Sequence, residues 1–268
     1  MIGRRFHLLL MGPLVAIVSW TGCAPREPVA FRVLTYNIHH GEGMDGKIDL
    51  DRIAGVIRRS KTDLVALQEV DRGIERSGDV DQPAKLAALT DMHVIFEKNI
   101  DLQGGEYGNA VLSRFPVVWH RNHQLPKMPG NEQRGLLEVY ALIGGQKLTF
   151  FATHLDHQAD DGERIASVAV LRELIGDSEG SPVIVAGDFN AAPDSRVIRE
   201  VRAFLGDTSV DAGSESPSFP ADVPERRIDY ILYGAHAGLR FTANQVLPEA
   251  TASDHRPVVA VFALDLQG

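Results

Sequence analysis

Short apolar runs rich in β-branched residues recur along the chain, and each stops at a polar residue. Phe31 to Tyr36 ends in Asn37, Leu64 to Leu67 runs into Gln68-Glu69-Val70-Asp71, and Val183 to Ala186 runs into Gly187-Asp188-Phe189-Asn190. These runs are too short for helices and predict strands buried on both faces. His93–Phe96, Asn109–Arg114 and Pro116–His120 read as further strands, the last two joined by a tight turn at Phe115-Pro116. Leu136–Ile143 and Lys147–Thr153 flank Gly144-Gly145, a hairpin signal, and the second of them ends in His154. Ile228–Tyr233, Leu239–Val246 and Pro257–Leu264 complete the strands.

Helical spacing is rarer. Asp49 can cap a helix with Leu50, Ile53, Ala54, Val56 and Ile57 on one face. Residues 83–91 read as a short helix, and Asp161–Ile175 turns Ile165, Val168, Leu171 and Ile175 inward. Asp194-Ser195 can cap another. Strands that hairpin, mixed with buried strands that precede helices, predict two mixed sheets packed face to face with helices outside. No linker or repeat interrupts residues 30–268, so one domain is expected there. Residues 212–226, rich in Ser, Pro and Glu, predict a flexible loop that shapes the pocket.

The N-terminus follows a different pattern. Arg4 and Arg5 precede an apolar stretch from Phe6 to Trp20, interrupted by His7, Gly12 and Pro13. That is the layout of a signal peptide over residues 1–22. Trp20-Thr21-Gly22-Cys23 resembles a bacterial lipoprotein signal, although a small aliphatic residue is usual where Trp20 stands. On this reading Cys23 is acylated, residues 23–29 are a tether, and the protein is exported. It would then be periplasmic or cell-surface, meeting the membrane through its lipid alone. The other reading is an ordinary signal peptide with Cys23 incidental. Cys23 is the only cysteine, which excludes an intramolecular disulfide. The net charge of −9 argues against a broad nucleic-acid-binding surface.

The chemistry gathers at strand ends: Asn37, Glu69, His154, Asp188, Asn190, Asp229, Asp254 and His255. Any one of them alone reads as a capped turn. Together they would place four carboxylates in one pocket, which cannot all stay ionised without a cation. An oxygen-rich, thiol-free set suits Mg²⁺ or Mn²⁺. A histidine beside a carboxylate suits charge stabilisation or proton transfer near a phosphate.

Seven motifs occur in order: Thr35-Tyr36-Asn37-Ile38, Gln68-Glu69-Val70, Tyr107-Gly108-Asn109-Ala110-Val111-Leu112-Ser113-Arg114, Thr153-His154-Leu155, Gly187-Asp188-Phe189-Asn190, Ile228-Asp229-Tyr230-Ile231 and Ser253-Asp254-His255-Arg256-Pro257. This set resembles the endonuclease/exonuclease/phosphatase superfamily. The resemblance implies a four-layered α/β/β/α sandwich and metal-dependent hydrolysis of a phosphate ester, a diester ahead of a monoester. Glu69, Asn37 and Asp254 would serve the metal. Asp188 would activate the attacking water, and Asn190 would hold phosphate or nucleophile. Asp229 would fix the His255 ring against the scissile phosphate. His154 would contact the phosphate or serve the leaving group. Arg134 and Asn109 would add contacts to the substrate phosphate, although an arginine at Arg134 also reads as a solvated strand end.

The loops at 71–83 and 155–163 carry no Lys/Arg-rich insertion, which favours a small or lipid-derived phosphate ester over duplex DNA. The chain is expected to act as a monomer. The rival readings are an extracellular nuclease, a binding member of the fold without catalysis, a glycosidase with paired carboxylates, and a structural lipoprotein.

Overall fold

The structure, a computed structural model, describes residues 27–178 and 180–266. The expected signal peptide and Cys23 lie outside the described residues. Among the described residues no helix is long and apolar enough to cross a membrane.

Strand β1 (Val29–Asn37) is followed by helix α1 (Leu50–Ser60), strand β2 (Leu64–Arg72) and helix α2 (Gln82–Thr90). Next come β3 (His93–Leu102), β4 (Gly105–Ser113), β5 (Val117–Gln124), β6 (Gly135–Ile143) and β7 (Gln146–His154). Helix α3 (Gly162–Gly176), β8 (Val183–Asp188) and α4 (Arg196–Arg202) follow. The chain continues through the two-residue β9 (Gly206–Asp207), α5 (Thr208–Asp211), β10 (Asp229–Tyr233), β11 (Leu239–Val246) and β12 (Val258–Leu264). Caps set several helix starts: Asp49 accepts from Arg52 N at 2.9 Å and Ser195 from Ile198 N at 3.2 Å.

The strands form two six-stranded sheets, ordered β11-β12-β1-β2-β4-β3 and β5-β6-β7-β8-β10-β9. Each holds one parallel pair, β1 with β2 and β7 with β8, and is otherwise antiparallel. Alternate residues divide the core. Phe31, Val33, Phe150, Ala152, Ile184 and Ala186 belong to a cluster that draws on both sheets. Their neighbours Leu34 and Tyr36 pack with residues of α1, whereas Phe151, Val183 and Val185 pack with residues of α3 and α4. This is the expected α/β/β/α sandwich.

The structure adds to the local expectations in four places. First, β4 and β5 belong to different sheets, so the tight turn at Phe115-Pro116 carries the chain from one sheet to the other. Ser113 Oγ holds it by bonding the backbone of Phe115, whose ring meets Phe31 edge-on at 6.1 Å. Second, the hairpin in this region joins β3 to β4 through Gln103 and Gly104, both with positive φ. Third, the Gln68-Glu69-Val70-Asp71 end of β2 is not a plain strand end: the strand passes a bulge there and pairs on to Arg72. Fourth, residues 212–226 are not all loose. Ser218 is buried, bonds Asp229, and pairs its backbone with Arg226, while Phe219 packs against the His255 ring.

Candidate active site

The parallel pairs decide where the polar residues meet. In each, both strands run toward the same edge of the sandwich: the β1–β2 pairing stops at Asn37 and Gln68, and the β7–β8 pairing at His154 and Asp188. Strand β10 runs antiparallel to β8, so its first residue, Asp229, sits opposite Asp188. Side chains alternate along a strand. Asn37, His154, Asp188 and Asp229 therefore continue the alternation of Val33, Ala152, Ala186 and Ile231, all members of the core shared by the two sheets. The site is the polar end of that core.

Two sequence details complete it. Glu69 has φ +58° and is the extra residue of the β2 bulge, which re-aims its carboxylate to Asn37. Gly187 lies inside β8. A Cβ there would lie 2.1 Å from Thr153 O, so the glycine lets β7 and β8 approach. Asn190, at φ +47°, is the other site residue in the left-handed region.

Asn37 Nδ2 donates to Glu69 Oε1 at 3.0 Å and to Asp188 Oδ2 at 3.3 Å, while its Oδ1 accepts from His39 N at 3.0 Å. Asp188 Oδ1 accepts from Asn190 N at 2.8 Å. Two imidazoles flank Asp188 Oδ2, His154 Nε2 at 3.5 Å and His255 Nε2 at 3.7 Å. The far nitrogen of His255, Nδ1, lies 2.9 Å from Asp229 Oδ2, which also accepts from Ser218 Oγ at 2.6 Å. Asn190 Nδ2 lies 3.1 Å from both His154 Nε2 and Leu155 O.

Asp254 is half-buried. Its Oδ1 lies 3.3 Å from Ser253 Oγ, which itself donates to Asn37 O at 2.7 Å. Arg134 reaches the site from the start of β6 and is buried. Its Nη1 donates to His154 Nδ1 at 3.0 Å and its Nη2 to His157 Nδ1 at 3.1 Å. Asn109 Nδ2 donates to Gly135 O at 3.1 Å, and its buried Oδ1 has no partner. Sequence reasoning missed Ser218 and His157. Ser218 carries no motif signal, because only the fold brings its loop back to Asp229. His157 follows the His154 motif by three residues, and its place became visible only through Arg134.

Electrostatics separate these groups. Burial and the nearby Asp229 push the Asp188 carboxyl up to about 7. Burial disfavours charge on His255, but the Asp229 carboxylate outweighs it and raises the ring to about 10. Burial and the neighbouring Arg134 hold His154 well below the usual histidine value, so its ring is neutral. An arginine can only donate, so His154 Nδ1 accepts and Nε2 carries the ring proton toward Asp188, with the Asn190 amide nitrogen packed beside it rather than bonded to it.

The residues present suit a hard cation. Asp188 and Asp229 are both buried and face each other, and Asp229 Oδ1 has no hydrogen-bond partner. The Asn37 amide group bridges Glu69 and Asp188, a place where positive charge is favoured. Among the described residues, ligand atoms of Asp188, Asp229 and His255 lie within 4.8 Å of one another, with no thiol nearby; the cationic His255 ring has no lone pair to give, so an ion belongs on the carboxylate side, toward Asn37 and Glu69.

The model of the Endonuclease/Exonuclease/phosphatase family matches residues 34–255, from β1 to the site histidine. The chain belongs to this family. Family members are in general hydrolases of phosphoester bonds that use divalent metals. YbhP of Escherichia coli K12, itself uncharacterized, is 29% identical over 251 residues, covering 89% of this chain and 98% of YbhP. A family structure from Beutenbergia cavernae superposes with a TM-score of 0.75 at 28% identity, covering 90% of this chain and 72% of that one. The mannosyl-6-phosphatase of Bacteroides thetaiotaomicron shares the fold, with a TM-score of 0.73 at 20% identity over 87% of this chain and 99% of its own.

Proposed function

We propose that this family member is a divalent-metal-dependent phosphoesterase that cleaves phosphodiesters in preference to monoesters. The observation that carries the reading is Asp188: a buried carboxyl raised to about 7, ringed by Asn37, Asn190, His154 and His255. A group with that pKa suits a general base near neutral pH.

Glu69, Asn37 and Asp254 would hold Mg²⁺ or Mn²⁺, which when bound neutralises charge on the phosphoryl oxygens. Asp188 orients the attacking water and takes its proton. His255, kept cationic by Asp229, stabilises the charge that grows on the phosphate. His154 offers its Nε2 proton as a hydrogen-bond donor, and Asn190 holds the reacting group in line with Asp188. Arg134 acts through His154, to whose Nδ1 it donates, and the Asn109 amide nitrogen is held by Gly135 O beside it.

The same reading makes the protein an exported monomer, tethered to a membrane through acylated Cys23 and acting on a small or lipid-derived ester. The acidic charge and the N-terminal pattern support this. A set of charged and amide groups arranged around one carboxylate argues against a binding domain without catalysis, in which nothing would retain so many buried polar groups.

The test is hydrolysis of bis-p-nitrophenyl phosphate and p-nitrophenyl phosphate with Mg²⁺, Mn²⁺ or EDTA, beside Asp188→Ala. The expected result is metal-dependent turnover, faster on the diester and lost in the variant. Undiminished turnover in EDTA would reject the metal, and faster monoester cleavage would reverse the preference. Near-wild-type activity in Asp188→Ala would reject the mechanism.

A further inference from the structure

Two buried arginines converge on one exposed histidine, which the mechanism above leaves unused. Arg134, wedged between His154 and His157, donates to the Nδ1 atom of each ring. Arg164, buried on α3, donates from Nη1 to the carbonyls on either side of His157, Asp156 O at 2.8 Å and Gln158 O at 2.7 Å. Asp156 is buried, and its Oδ2 accepts from Gln158 N at 2.9 Å. The backbone around His157 is therefore fixed from beneath, although the ring itself is exposed. Ordering buried charges costs desolvation and side-chain entropy, and a solvated loop tip gains nothing from that cost.

The geometry sets the ring chemistry as well. With Arg134 donating to Nδ1, the proton of a neutral His157 ring stands on Nε2, away from the arginine. The exposed Gln158 amide nitrogen lies 3.4 Å from that Nε2, but it too is a donor and cannot accept the ring proton. His154 and His157 thus present two N–H donors from one guanidinium, the first toward Asp188 and the second at the rim. The rim loop continues with Asp160 and Asp161 and holds no lysine. A second phosphate there would meet like charge. A hydroxyl, which both donates and accepts, would not.

We propose that His157 is a substrate-binding residue that takes a hydroxyl oxygen of a polyol or sugar esterified to the scissile phosphate. The proposal rests on the phosphoesterase reading, and it assigns the substrate class of that site: a phosphate ester of a hydroxylated alcohol. Gln158 offers that alcohol a second hydrogen bond, and Arg134 is the positioning residue that links this contact to His154.

The experiment compares wild type with His157→Ala on two diesters. Glycerophosphoglycerol carries hydroxyls on both alcohols, and bis-p-nitrophenyl phosphate carries none. The variant should raise KM for glycerophosphoglycerol about threefold to tenfold, as loss of one hydrogen bond would, with kcat kept. Its constants for bis-p-nitrophenyl phosphate should not change, and His157→Gln, which restores an N–H donor, should recover most of the affinity. Equal losses on both substrates, or none on either, would overturn the proposal. ¹⁵N ring signals decide it without turnover, and so separate its failure from failure of the phosphoesterase reading. His157 should be the Nε2–H tautomer, and glycerol 1-phosphate should shift that signal while inorganic phosphate leaves it in place. A ring protonated on Nδ1, or one blind to glycerol 1-phosphate, would overturn it.

Discussion

Asp188 and Asp229 face each other as direct partners across the β8–β10 ladder, and both carboxyl groups are buried. The two do not play the same part. Asp229 is bound to His255 and Ser218, whereas Asp188 is surrounded by groups that would touch a substrate. Replacing Asp188 by Asn should lower kcat by about a thousandfold or more, because the amide cannot take a proton. Removing a buried carboxyl raised by its surroundings also removes an unfavourable charge. Asp188→Asn should therefore melt at or above the wild-type temperature in EDTA. A clear loss of stability would show that Asp188 is structural.

The pH dependence follows from the two raised pKa values. Activity should rise as Asp188 ionises, with an acid limb at or below about 7 because a bound cation favours the carboxylate, and fall as His255 loses its proton near 10. A pH–rate profile without the alkaline limb would remove His255⁺ from the mechanism.

Stability should carry the same signature. His255 has a folded-state pKa above its unfolded value, so its contribution is fully present below about 6.5. It is lost as pH rises through that value toward about 10. The loss is on the order of a few kcal/mol in the metal-free protein, read by denaturant titration between pH 6 and 10. His255→Asn should flatten that slope. Asp188 acts in the same direction between about 4 and 7, since its folded-state pKa is also raised.

Ser218 offers a test of a residue with no sequence signal. Ser218→Ala removes the 2.6 Å bond to Asp229 and leaves that carboxylate one partner short. The expected cost is about 1–3 kcal/mol in folding, with kcat about tenfold lower as His255 loses its fixed orientation. An unchanged kcat would separate the loop from the catalytic histidine.

Gly187 tests the close approach of β7 and β8. Gly187→Ala sets a methyl group 2.1 Å from the Thr153 carbonyl oxygen and 2.9 Å from its carbon, backbone atoms that cannot swing aside. The variant should lose about 2–3 kcal/mol or more and most of its activity, because Asp188 is the next residue. Wild-type melting would show that the strands can part at no cost.

Much of this was legible in the chain itself. Buried runs ending in Asn37, Glu69, His154 and Asp188 named both the strands and the polar ends, because a strand's length and β-branched content are local properties. The caps at Asp49 and Ser195 were legible for the same reason. The crossing at Phe115-Pro116 was not, because a turn between sheets and a turn within one sheet use the same local chemistry. Ser218 and the β2 bulge at Glu69 were hidden likewise, since each depends on a partner strand.

What the sequence determined alone was the alternation that builds two sheets and leaves polar residues where strands stop. What only the tertiary structure decided was that those ends share one edge of the sandwich. Two parallel pairs and one antiparallel neighbour place them there, and strand direction is a property of pairing that no single strand encodes. Burial then turned an ordinary carboxyl into a base raised toward neutrality and an imidazole into a neutral donor, while the Asp229 carboxylate made the other imidazole a fixed cation. Those values depend on desolvation and on neighbours distant along the chain.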